Sequence, residues 1–146
     1  MEDKKYYMDF AIKMSKMSKD PNTKVGSVIS SNALYEIVSV GINHFPRRIK
    51  EGEISWRREG YFEDTKYAYV IHAEADAILG ATLPLIPEHE YTLYTTMFPC
   101  NECAKLIARV GINKVVYLDD KYHELPAWVA SRKLLKLAGI EFEQYE

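Results

Sequence analysis

Tyr91-Thr-Leu-Tyr-Thr-Thr-Met-Phe-Pro-Cys-Asn-Glu-Cys-Ala-Lys-Leu-Ile-Ala-Arg-Val110 decides the fold. Tyr91 to Met97 is rich in β-branched and aromatic residues and predicts a strand. Pro99 suits a first helical turn, so a helix is expected from about Cys100 to Val110. Lys114 to Leu118 reads as the next strand, which makes the stretch a strand–helix–strand unit. Downstream, Pro126 to Leu137 predicts a closing helix and Ile140 to Tyr145 a final strand. Upstream, Tyr67 to Ile71 leads into His72-Ala-Glu-Ala-Asp-Ala-Ile-Leu79, an alanine-rich helix that Gly80 can end.

Further back, Lys24–Ser30 and Tyr35–Ile42 flank Ser31-Asn32 and predict a hairpin. Tyr6, Tyr7, Phe10, Ala11, Met14 and Met17 recur at helical spacing, with Lys13, Lys16 and Lys19 between them. That pattern predicts an amphipathic helix, stopping at Asp20-Pro21 because proline disfavours helical geometry in the residue before it. Between Asn43 and Lys66 periodicity fails, and a loop this long in a small domain is usually functional. The expected fold is α/β: a three-layer α/β/α sandwich around a mixed five-stranded sheet, in one domain spanning residues 1–146.

Composition narrows the class. At 146 residues the chain suits a single core, and 47% hydrophobic with 27% charged residues is a globular balance. Nineteen basic against 21 acidic residues leave a net charge of −2, so no overall positive field favours nucleic acid or an anionic membrane. The start, Met1-Glu-Asp-Lys-Lys5, lacks the apolar core of a signal peptide. Ala77 to Pro87 is the longest apolar-looking stretch, but Thr82, Pro84 and Pro87 keep it from spanning a bilayer. Two cysteines three positions apart make no disulfide scaffold; a soluble, reducing, cytoplasmic setting is expected.

Chemistry concentrates in four residues. His72 and Glu74 lie two apart, and Cys100 and Cys103 follow 28 positions after the histidine. The histidine and the cysteine pair each fall at the start of a helix, whose positive pole favours the thiolate that binds metal. One imidazole and two thiolates make three ligands for Zn²⁺ with the fourth position open, as catalytic zinc sites have it. Zinc makes water acidic enough to supply hydroxide near neutral pH. Glu74, close to the metal without being a ligand, is then the general base and later the general acid. Cys-x-x-Cys alone also fits a redox dithiol, but that reading leaves His72 and Glu74 without a role.

His-x-Glu followed by Pro-Cys-x-x-Cys is the known signature of zinc nucleobase deaminases. Over nearly its whole length the chain resembles the deoxycytidylate (dCMP) deaminases of the cytidine-deaminase superfamily. The resemblance rests on Ser18-Lys-Asp-Pro-Asn-Thr-Lys-Val-Gly26, Trp56-Arg57-Arg58, Thr65-Lys-Tyr-Ala-Tyr69, His72-Ala-Glu74, Phe98-Pro-Cys-Asn-Glu-Cys-Ala-Lys105 and Asp120-Lys-Tyr-His123. It implies a cytidine-deaminase-like sandwich and hydrolysis of dCMP to dUMP and ammonia: attack at C4 of the ring, N3 protonated by Glu74. It also implies a homo-oligomer, often hexameric. Carried over by position, Asn43 would contact the sugar or phosphate, Tyr122 would pack on the base, and Asn22 and Lys24 would face the 5′-phosphate. Lys24 has a second reading, as a solvated strand-edge lysine. The backbone N–H groups of Ala73 and Glu74, at a helix start, are candidates to hold the base carbonyl.

Arg57 and Arg58 are candidate contacts for the substrate phosphate or for a regulatory triphosphate, with which Mg²⁺ would come. Family members regulated by dCTP and dTTP commonly carry Gly-Tyr-Asn-Gly-x-Pro after the second strand. Here the stretch is Gly41-Ile-Asn-His-Phe-Pro46, and Asp76 stands where an asparagine is common. No further cysteine is available for a second metal, and His44, His89 and His123 read as surface residues, so one zinc per chain is expected. The alternatives are the same chemistry on dCTP, deoxycytidine or a tRNA or single-stranded nucleic-acid base, and, from another class, a thiol oxidoreductase.

Overall fold

The computed structural model describes residues 3–81 and 84–146. Met1 and Glu2 of the charged start, and Thr82 of the Ala77–Pro87 stretch, lie outside the described residues. Five strands form one sheet: β1 (Gly26–Ser31), β2 (Glu36–Ile42), β3 (Tyr91–Met97), β4 (Ile112–Asp119) and β5 (Glu141–Gln144). Their order is β2-β1-β3-β4-β5, antiparallel from β2 through β1 to β3 and parallel from β3 through β4 to β5. The helices are α1 (Lys4–Ser15), α2 (Ala73–Leu79), α3 (Asn101–Val110) and α4 (Pro126–Leu137).

Strand alternation divides the core in two. Val28, Tyr94 and Val116 point to one face, where Tyr7, Met8 and Ala11 of α1 cover them. Their neighbours Ile29, Leu93 and Val115 point to the other, against Ala77 of α2, Ala104 and Ile107 of α3, and Leu135 of α4. The result is a three-layer sandwich with one helix on one side and three on the other. Among the described residues no helix is long and apolar enough to cross a membrane.

Several expected boundaries move. The first helix ends at Ser15, short of Asp20-Pro21, because Ser18 gives its hydroxyl to the distant Asn43 carbonyl and Asp20 accepts the nearby Asn22 and Thr23 N–H groups, bonds that compete with the helix. Pro99 stands one residue before the helix cap, Cys100, and is not in the first turn. α3 ends on Gly111, whose φ of 86° is the left-handed geometry of a helix C-terminus. The 43–66 loop is tied down rather than loose. His44 bridges to Ile71, Phe45 stacks on Trp56 with centroids 3.9 Å apart, and single 3-10 turns form at Phe62–Asp64 and Lys66–Ala68.

The mixed topology gathers separate chain segments at one sheet edge. The carboxyl ends of β2, β3 and β4 and the amino end of β1 all face the same way. Residues just beyond them, among them Val25, Asn43, Cys100 and Tyr122, therefore meet there.

Candidate metal centre and its cavity

His72 is the cap residue of α2 and Cys100 the cap residue of α3, both in extended conformation; Cys103 sits in the first turn of α3. Two helix starts thus face each other. His72 is exposed as a residue, yet its Nδ1 lies 3.5 Å from the Sγ of Cys100 and 3.5 Å from that of Cys103. The three donor atoms lie within 4.8 Å of one another. Both cysteines are buried and neither is in a disulfide.

The three groups perturb one another's proton affinities. The Cys103 thiol, donating to Cys100, draws the Cys100 pKa well down, and His72 adds to this. Cys103 is pushed up by the same bond and by burial. His72 is raised chiefly by its bond to Cys100. Two cysteine sulfurs and an imidazole nitrogen fit the soft and borderline donor set that zinc prefers.

Glu74, in the first turn of α2, is 4% exposed. Burial raises its pKa, and the field of His72 only partly offsets this. Thr95 of β3 places its hydroxyl 2.7 Å from Oε1. A buried carboxyl with a raised pKa and a fixed hydrogen-bond partner is suited to taking up and returning a proton.

These groups open on a cavity of about 390 Å³, within the range of small-molecule sites. Its wall includes His72, Ala73, Glu74, Cys100, Asn43, Tyr122 and Arg58. Phe98, Leu125 and Trp128 add apolar surface, and the Tyr122 and Trp128 rings lie 5.1 Å apart. Trp128 Nε1 donates to the Phe98 carbonyl at 2.8 Å, which fastens α4 to the turn before the cysteines.

Not every expected contact reaches this wall. Asn22 and Lys24 are exposed and do not line the cavity. Lys24 Nζ instead donates to the Ser18 carbonyl at 2.5 Å. Thr23 and Val25, between and beside them, face inward. Arg57 lies outside the cavity, its Nε bound to the Glu59 carbonyl at 2.8 Å; with Arg58, Glu59 and Tyr67 it lines an adjoining rim. Asn43 is also a brace: its Oδ1 accepts from Val25 N at 2.9 Å and its Nδ2 donates to the Thr23 carbonyl at 2.8 Å.

Sequence reasoning missed a buried ion pair in the wall, Lys66 with Asp20 at 2.5 Å. Their separation of 46 positions hid the pairing. It also treated His44 and Asp76 separately, whereas they are partners at 2.8 Å, and Asp76 Oδ2 accepts the Ile42 N–H at 3.1 Å. Asp76 thus pairs with a histidine. This clip joins the end of β2 to α2, the helix that carries Glu74. Asp76→Ala strips both partners at once and is expected to cost about 1–3 kcal/mol in chemical denaturation; a loss under about 0.5 kcal/mol would show the clip to be idle.

The sequence of residues 1–119 matches the family model described as the cytidine and deoxycytidylate deaminase zinc-binding region. A probable deoxycytidylate deaminase of Drosophila melanogaster is 41% identical, over 96% of this chain and 70% of that protein. The Homo sapiens deoxycytidylate deaminase is 38% identical, over 99% of this chain and 80% of that one. Among solved structures, the dCMP deaminase of cyanophage S-TIM5 in complex with dCMP and dUMP superposes with a TM-score of 0.76 at 27% identity, covering 99% of each chain.

Proposed function

The chain belongs to the cytidine and deoxycytidylate deaminase zinc-binding family, and from that premise we propose that it hydrolyses dCMP to dUMP with release of ammonia. One observation carries the reading: the His72, Cys100 and Cys103 donors stand beside a buried glutamate at a cavity of nucleotide-compatible size. His72, Cys100 and Cys103 would hold a zinc ion, which would supply the Lewis acidity that lets water act as a nucleophile near neutral pH.

The residues divide the remaining work. Tyr122, Trp128, Phe98 and Leu125 form an apolar slot for the pyrimidine ring. Ala73, the first residue of α2, presents its backbone N–H for the ring carbonyl. Glu74, oriented by Thr95, takes a proton from the attacking water and passes it to N3 as C4 becomes tetrahedral. The same carboxyl then moves the proton of the new C4 hydroxyl to the amino group, so that the C4–N bond breaks, ammonia departs and the C4 carbonyl of uracil remains. Asn43 holds the Thr23–Val25 segment in place and faces the sugar.

We read residues 1–146 as one deaminase-type domain, since a single sheet draws strands from Gly26 to Gln144. One zinc per chain follows from a single cluster of three such donors among the described residues. Reduced, buried thiols suit a cytoplasmic setting. The exposed Tyr61 and Phe62 support a homo-oligomer, six chains being the size the resemblance implies. Mg²⁺ enters only as the companion of a triphosphate at Arg57 and Arg58.

Ammonia release from dCMP, dCTP, CMP, deoxycytidine and a tRNA anticodon hairpin, each with and without added dCTP or dTTP, tests the substrate. The expected order puts dCMP first by at least about tenfold. Preference for the hairpin or for deoxycytidine would overturn it.

A further inference from the structure

On the face of the sheet that α2, α3 and α4 cover, apolar side chains are the rule. Ile29 of β1 and Leu93 of β3 lie there, opposite each other across the two strands. Two positions nearer the metal centre the same face carries Ser27 and Thr95, again direct partners, and both are fully buried. A buried hydroxyl is costly unless its hydrogen bonds are made, so a polar pair in this apolar row needs a reason. Satisfying one another would be enough for burial, yet the two do more. Ser27 Oγ donates to Thr95 Oγ1 at 3.1 Å. Thr95 Oγ1 in turn stands 2.7 Å from Glu74 Oε1 and 3.0 Å from the Met97 carbonyl oxygen.

A hydroxyl has one proton and two lone pairs. With Ser27 donating to one lone pair, Thr95 keeps one proton and one lone pair for its two remaining partners. An ionised Glu74 can only accept, and so can the Met97 carbonyl. The bond to the carboxylate is charge-assisted and the shorter of the two, so it claims the proton while Glu74 is ionised. When Glu74 has taken a proton onto Oε1, the Thr95 hydroxyl turns to Met97 and accepts from Glu74 with its free lone pair. A proton on Oε2 leaves the Thr95 bond as it was. In neither case does an O–H bond of Thr95 break or a heavy atom have to move.

We infer that Ser27 and Thr95 are a positioning pair for the reaction: Ser27 fixes the Thr95 hydroxyl, and Thr95, with Met97 as its second acceptor, keeps Glu74 Oε1 hydrogen-bonded before and after the carboxyl takes up its proton. The inference rests on the deaminase reading above. It extends that reading from the bond that orients Glu74 to the second hydroxyl and the second acceptor that keep the bond made through the cycle.

The test is steady-state deamination of dCMP, read as kcat and KM separately, with zinc content measured for each protein. Thr95→Val keeps the branched shape and removes the hydroxyl. Its kcat is expected to fall about 10- to 100-fold while KM stays within about twofold, because substrate binding does not use this bond. Thr95→Ser restores the hydroxyl and is expected to recover most of the loss. Ser27→Ala is expected to lower kcat about three- to tenfold on its own and to add nothing to Thr95→Val, since it acts only through that hydroxyl. A zinc-loaded Thr95→Val protein with unchanged kcat overturns the inference. So does a Thr95→Ser protein no better than Thr95→Val, or a loss that lies wholly in KM. If Thr95→Val does not fold, Ser27→Ala decides, and an unchanged kcat there overturns the inference. All these outcomes leave the wild type a dCMP deaminase; a wild type that releases no ammonia from dCMP overturns the proposed function and this inference with it.

Discussion

Glu74→Gln is expected to lower the turnover of dCMP by about 10²–10⁴-fold while zinc content and melting temperature stay close to wild type. The substitution keeps the shape of the side chain and an oxygen for the Thr95 hydroxyl, which lies 2.7 Å from Oε1. It removes the ability to carry a proton. Glu74 is no ligand in this account, so the metal should remain. Its carboxyl is buried and its pKa is raised by that burial, so the neutral amide brings no new desolvation cost. The site would be structurally whole and chemically idle. A variant retaining more than a tenth of wild-type turnover would transfer the proton work to another group.

Gly41→Ala is expected to give a large loss of stability from a single added carbon. A Cβ there would stand 2.3 Å from the Ala73 carbonyl oxygen and 2.5 Å from the Ala77 N. Both are backbone atoms of α2, so no flexible side chain can swing aside. Either β2 or α2 must move, and such overpacking costs about 1–3 kcal/mol or more. The melting temperature should fall by roughly 10 °C, and turnover should fall with it because α2 carries His72 and Glu74. A melting temperature within about 2 °C of wild type would show that the two elements are packed more loosely than they stand here.

The backbone was legible where local chemistry is decisive. β3 covers Tyr91–Met97 and α4 covers Pro126–Leu137, as their β-branched content and helix-opening proline predict. The end of α1 was not, because the capture of the Ser18 hydroxyl depends on Asn43, 25 positions beyond it. The metal centre was readable since its residues fall into two short motifs, each at a helix start.

The nucleotide-facing side chains were harder to see. Resemblance pointed to the segment around Asn22 and Lys24 but not to its phase. The turn built on the Asp20 carboxylate brings Thr23 and Val25 to the cavity and leaves their neighbours outside. Lys66 and the His44–Asp76 clip were invisible for a simpler reason. A pair distant in sequence leaves no local signature, although both His44 and Asp76 depart from the family pattern and lie opposite each other in the fold.

The most direct test of the central claim is the metal content of the purified, reduced protein beside that of Cys103→Ala. One zinc per chain in the wild type, and next to none in the variant, is the result expected of a three-residue centre built from His72, Cys100 and Cys103. A wild type that carries no metal and has Cys100 linked to Cys103 as a disulfide, or a Cys103→Ala protein that keeps its zinc, would contradict it.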